Sequence, residues 1–370
     1  MFQIFSDWYK EYFSNREAVV LILLLAVGLT IVVTMGSILA PVLTAIVLAY
    51  LLQGMISFLV SKKVPWFASL LFTYVLFLAA QVSLLFVLVP LAWGQLVRLF
   101  NDQVPRMLYE ANLFLNMLPQ RYPELVSEQW VKEISTLTST TLKSLGESVL
   151  TFSVSSIPNL MGILIFLVLV PMLVFFFLKD KDRMINWVDS YLPQDRPFIS
   201  RVIKEMDVQI SNYVRGKALE ILIVGSVTYV TFVLLGVNYA ALLGMLVGLS
   251  VVVPYIGATV VTIPVAVVAY FQFGWGPEFM WVLVSYGIIQ GLDGNLLVPI
   301  LFSEAVNLHP VAIITAVLVF GGFWGLWGVF FAIPLATLVK AVFSSWPREP
   351  IPVLVKSGSV PSPGQDGGLL

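Results

Sequence analysis

ILIVGSVTYVTFVLLGVNYAALLGMLVGLSVVVPYIGATVVTIPVAVVAYFQFGWGP, residues 221–277, runs for 57 residues without an Asp, Glu, Lys or Arg. A membrane-crossing helix needs about 20 apolar residues, so this stretch holds more than one membrane element. Four more uncharged runs exist: 18–61, 64–97, 148–178 and 305–339, of 44, 34, 31 and 35 residues. The chain therefore reads as an all-α, polytopic integral membrane protein of about eight membrane elements, with lipid as its main solvent.

Composition agrees: 59% of residues are hydrophobic and 11% charged, where a soluble domain carries roughly a quarter charged. A net charge of −1 argues against nucleic acid as a partner. With no cysteine and His309 as the single histidine, disulfides, thiolate catalysis and Cys/His metal sites are excluded. Neither a GxSxG elbow nor a GxxxxGK[ST] loop is present. The expectation is thus no enzyme, no cofactor and no resident metal.

Pro41 divides the first run, predicting helices over 18–39 and 42–60, with Lys62 and Lys63 in the next turn. A third span covers 66–92 and a fourth 158–178, stopped by Lys179, Asp180, Lys181, Asp182 and Arg183. A cytoplasmic N-terminus (1–17) places 15 of the 20 basic residues inside, as short cationic loops resist translocation. The other five lie in 95–157, read as an extracytoplasmic segment of two or three amphipathic helices after the 18–94 scaffold. Residues 179–214 read as a cytoplasmic interfacial helix, with an apolar stripe of Ile199, Val202, Ile203, Met206, Ile210 and Tyr213 leading into a fifth span at 218–236. Residues 343–370 read as a disordered cytoplasmic tail.

The transport core is placed at 215–342. Residues 239–272 are interrupted at Pro254, Tyr255, Ile256 and Gly257, and residues 309–342 at Gly321, Gly322, Phe323, Trp324 and Gly325. An unbroken helix of either length would be about 50 Å long, too long for one crossing. Each segment crosses twice or returns as a hairpin, and periodicity leaves both open. Paired interrupted segments point to a transporter binding site. The frames Asn238…Pro264 and Asn307…Pro334 resemble each other weakly and would be related by inverted topology. Between them, a helix at 279–299 carries Gln290, Asp293 and Asn295. An ionisable residue within a span normally faces a bundle interior or a watery cavity, so these three become candidate contacts for a small polar solute or a monovalent cation. The competing reading has Asp293 near the cytoplasmic interface, capping a broken helix. Lys217 and Glu220, with Arg215 nearby, have the spacing of a salt bridge, with a role in coupling as the alternative. His309 beside Pro310 reads as a structural helix start, or as a proton carrier.

Several phrases are recognisable. NYVRGKALEILIVG (212–225), LLGVNYAALLG (234–244), VVPYIGATVVTIP (252–264), QGLDGNLLVPILFSEAVNLHP (290–310), GGFWGLWGVFFAIPLATLVK (321–340) and FFFLKDKDR (175–183) closely resemble the AI-2E family of bacterial transporters. The resemblance implies an inner-membrane secondary transporter, a homo-oligomer, exporting autoinducer-2. Sodium or lithium/proton antiport is the near alternative, because some relatives are described so. A passive channel or a non-transporting membrane assembly factor is the alternative of another class.

Overall fold

The computed structural model describes residues 16–123, 126–155, 157–192, 196–302 and 308–345. The first residues, the C-terminal tail, Glu304 and Asn307 lie outside them, and with Asn307 half of the Asn238/Asn307 comparison. Apart from short turns and connections the described residues are helical, with no strand among them. Among the described residues, seven stretches are long and apolar enough to cross a membrane, and Ala240–Ser250 is a shorter apolar helix.

Helix α1 (Arg16–Ser61) keeps its helical assignment through Pro41, where two helices were expected. It is nonetheless far from straight. Phe198 N donates to Glu17 Oε2 at 3.0 Å, and Gly54 packs under the Arg215 side chain. Phe198 and Arg215 share one helix and lie about 26 Å apart, whereas Glu17 and Gly54 would be about 56 Å apart on a straight rod. The two limbs of α1 therefore fold toward each other. The Gly36–Ser37 pair and Pro41 are the sequence features that permit such a bend. At the bend, the Trp324 indole nitrogen sits where a side chain on Gly36 would go. Gly36→Leu is expected to lower stability by about 1–3 kcal/mol through overpacking, read as a lower thermal midpoint in detergent.

The helix that carries the third span does not stop near 92. Helix α2 (Trp66–Ser83), a π-helical turn (Leu84–Leu88), α3 (Val89–Arg98), a second π turn (Leu99–Gln103) and α4 (Val104–Arg121) form one rod, about 84 Å long at 1.5 Å per residue. Each π turn is followed by Val-Pro: Pro90 and Pro105. Proline lacks the N–H for a normal i→i−4 bond. The wider turn lets the preceding valine bond five residues back, Val89 to Leu84 O and Val104 to Leu99 O. The rod's end pairs with α5 (Glu128–Ser155), where Ser135 Oγ donates to Asn112. Segment 95–157 thus has two long helical arms, the first continuous with a span.

Helix α6 (Ile157–Lys179) packs against α1, burying Val170, Val174 and Leu178 with Ala45, Leu52 and Ile56. A bend at Asp180 leads to the short α7 (Lys181–Asp189). Helix α8 (Pro197–Leu234) then unites the expected interfacial stripe and fifth span in 38 residues. Most of its stripe faces protein: Ile199, Val202 and Met206 are buried with Leu21, against Leu338 and Val342, while Ile203 is exposed.

Both interrupted segments double back as helix–turn–helix pairs, called hairpins from here on. In the first, α9 (Ala240–Ser250) and α10 (Ile256–Phe273) are joined by a tight tip, and Gln272 ties the open ends by donating to Gly236 O and accepting from Asn238 N, both at 2.7 Å. After α11 (Pro277–Leu292), a π turn (Asp293–Leu297) and α12 (Val298–Phe302) comes α13 (Pro310–Ser345), which folds on itself at Gly325, φ 59°. Its arms bury Ala316 and Val317 against Ala332. The first hairpin's base packs beside the C-terminal end of α8, through Val237 and Phe232. The second packs Leu338 and Val342 at the N-terminal end. They enter from opposite ends of one helix, and Val253 at the first tip meets the flank of the second.

Candidate functional site

Lys217 and Glu220 lie one turn apart on α8, both buried, at 4% and 2% exposure. Lys217 Nζ is 2.6 Å from Glu220 Oε2 and donates to the Val251 carbonyl, on the first hairpin's tip, at 2.9 Å. The same ammonium lies 5.3 Å from the centre of the Phe302 ring. A buried charge needs pairing and hydrogen bonds together, and this lysine has an ion pair, a carbonyl and an aromatic face. One side chain thereby fastens α8, the hairpin tip and α12.

Asp293 joins this group electrostatically: its carboxylate acts on Glu220, and Lys217 acts on it. Asp293 Oδ1 and Gln290 Nε2 are buried atoms without a hydrogen-bond partner among the described residues. Lone buried polar atoms are rare and call for an explanation. Asp293 also opens a π turn, the Val298 N–H reaching back to its carbonyl ahead of Pro299, and π turns recur at functional sites. Counted from Pro277, Asp293 is about 24 Å along its helix in a hydrocarbon layer about 30 Å thick.

The remaining candidates divide. Pro254 and Tyr255 form the tip itself, with Tyr255 at φ 63° and 58% exposed; a bulky residue there is a strained conformer. Gly257 is buried, and any Cβ on it would overlap the Ser250 carbonyl. Asn295 is exposed and hooks back onto Gly291 O at 2.8 Å, away from Asp293. Arg215 points to the opposite side of α8, toward Gly54. Gly321 packs on Val329, Gly322 is open, and Gly328 makes the close approach to Phe320 O. His309 is exposed, and its Nδ1 accepts from Val311 N at 3.3 Å, a helix-start contact. Trp324 and Trp327 each stack on the Phe331 ring at 6.1 Å, as packing. No group of three or more His, Asp or Glu disposed for a metal ion occurs among the described residues.

Sequence reasoning did not find the Val251 carbonyl, Phe302, or the base contacts of Gln272 and Gln95, whose Oε1 accepts from Leu242 N at 2.8 Å. A backbone carbonyl carries no sequence signal. Pro299, six residues after Asp293, did carry one, since the same spacing recurs after Leu84 and Leu99.

A family model described as AI-2E family transporter matches residues 19–348. The Escherichia coli (strain K12) protein named "Putative permease PerM" is 48% identical over 351 residues, 94% of this chain and 98% of that protein. "Putative transport protein YueF" of Bacillus subtilis (strain 168) is 26% identical over 84% of this chain and 85% of its own. "Putative transport protein YrrI" of the same organism is 25% identical over 82% and 84%.

Proposed function

Since the chain belongs to the AI-2E transporter family, we propose that it is a secondary transporter of the inner membrane, with cytoplasmic termini, whose two opposed hairpins alternately expose a site built on Lys217, Glu220, Gln290 and Asp293. The observation that carries this reading is the buried ion pair gripping the tip of the first hairpin, beside a carboxylate oxygen with no partner among the described residues. Irregular backbone at membrane depth is tolerated only within protein or along a cavity, and hairpin tips of this kind are where transporters place their sites. The cargo is a small polar solute, with autoinducer-2 the first candidate because the family takes its name from that signal. A homo-oligomer in the bilayer, which the resemblance implies, is part of this proposal.

Charge counting favours a second reading, cation/proton antiport. Two carboxylates share one ammonium, so the cluster is one positive charge short and invites a proton or a monovalent cation. The test is flux in proteoliposomes, with autoinducer-2 and sodium compared under imposed gradients. Asp293→Asn is expected to cut the flux at least tenfold while expression and thermal midpoint stay near wild type. Full flux from that variant would remove Asp293 from the site, and conductance without saturation would make the protein a channel.

A further inference from the structure

The fold leaves a long apolar groove that the transport cluster does not use. It lies between the two limbs of α1 and the return arm of α13, encloses about 640 Å³, and is lined by Leu25, Leu29, Val32, Phe331, Leu335 and Leu338 among others. Its lining is apolar but for the Tyr50 hydroxyl and the Trp324 indole nitrogen. A second hollow of about 240 Å³ adjoins it across two residues common to both, Ile46 and Tyr50. This hollow is polar at its wall: Gln53, Lys181 and Asp207 line it, and Tyr50 Oη donates to Asp207 Oδ1 at 2.8 Å.

The depth of the hollow follows from the chain. Lys181 stands two residues beyond the end of α6, a span that closes at Lys179. Met184, Ile185, Trp187 and Val188 of α7 are all exposed, as is Tyr191 just after it, with the Trp187 and Tyr191 rings edge to face at 5.2 Å. An exposed apolar face with Trp and Tyr, directly after a span, belongs at the headgroup level of the bilayer. The small hollow is thus at headgroup depth and the large groove runs from it into hydrocarbon.

We propose that groove and hollow together bind one zwitterionic phospholipid, with an acyl chain along the α1 limbs, the phosphate beside Lys181 and a hydrogen-bonding ammonium beside Asp207. Charge complementarity selects the headgroup. One cation and one anion match a head that carries both charges, while Asp207 repels a head bearing only a phosphate charge. Leu29, Leu335 and their neighbours offer hydrocarbon nothing but hydrocarbon, so the chain sets affinity and the head sets choice. The site is separate from Asp293, and its readout is binding rather than flux.

The experiment is native mass spectrometry of the full chain in mild detergent, with phosphatidylethanolamine and phosphatidylglycerol added in turn after delipidation. Phosphatidylethanolamine is expected to bind at least fivefold tighter and to raise the thermal midpoint more. Asp207→Asn, which keeps an acceptor for Tyr50, is expected to abolish the preference. Leu29→Trp, at a half-exposed groove position, is expected to weaken both lipids at least fivefold. Equal binding of the two lipids by the wild-type protein, which needs no variant to fold, would overturn the headgroup assignment. Undiminished binding by a folded Leu29→Trp would overturn the groove.

Discussion

Lys217→Met is expected to be the most destabilising single change to the buried cluster, at roughly 3–5 kcal/mol. Methionine preserves the length and the contact with Phe302, so packing is little disturbed. The variant loses the charge that faces Glu220 at 2.6 Å and the donor that holds the Val251 carbonyl at 2.9 Å. Removing one partner of a buried pair leaves the other ion unpaired, which costs far more than the net worth of the pair. Glu220→Gln alone should cost less, because Lys217 keeps Val251, the Phe302 ring and the Asp293 charge. The double variant Lys217→Met, Glu220→Gln should then recover part of the stability lost by Lys217→Met, a coupling measured by thermal unfolding of all four proteins. Strict additivity would mean the two groups do not act as a pair. Transport should not recover in the double variant, since the first hairpin's tip then lacks its polar anchor on α8.

Why sequence reasoning reached some of this and not the rest has a physical basis. Burial in lipid forbids charge, so the uncharged runs show the spans directly, and the interruptions at Pro254 and Gly325 show where a helix cannot continue. A lone Asp in a span and a Lys/Glu pair three residues apart are local signals as well. That the ends of the first segment meet is not a local signal, because Gln272 with Gly236 is a contact across 36 residues. The bend of α1 was legible only as a break, since Pro41 gives up one backbone bond and the neighbouring bonds hold the element together. Segment 95–121 was separated from the third span because its polarity changes at Arg98, yet nothing there stops a helix: Pro90 and Pro105 are absorbed by π turns. Asn295 was grouped with Asp293 by nearness in sequence. A π turn carries one extra residue and rotates the next residues of the helix by about 100°, and Asn295 faces outward from it.

Gly257→Ala and Gly328→Ala, each adding a single methyl, are expected to disable the protein from opposite ends. A Cβ on Gly257 overlaps the carbonyl of Ser250, and one on Gly328 overlaps the carbonyl of Phe320. The obstacle in both is backbone rather than a side chain that can swing aside, so the arms must separate. Overpacking that moves a backbone costs about 3 kcal/mol. The two glycines differ in what the separation does. At Gly257 it shifts the tip that carries Val251, so Lys217 loses its carbonyl and the site comes apart. At Gly328 it spreads the turn around Gly325 and unseats Phe330, whose carbonyl accepts from Tyr213 Oη at 2.8 Å, while Lys217 and Glu220 stay in place. Flux should fall at least tenfold in both, but a fluorophore placed by cysteine at Tyr255, in a chain with no other cysteine, should report a displaced first tip only for Gly257→Ala. The same probe shift in both variants would show that the hairpins move as one body, and wild-type flux in either would mean that this arm need not be closed during transport.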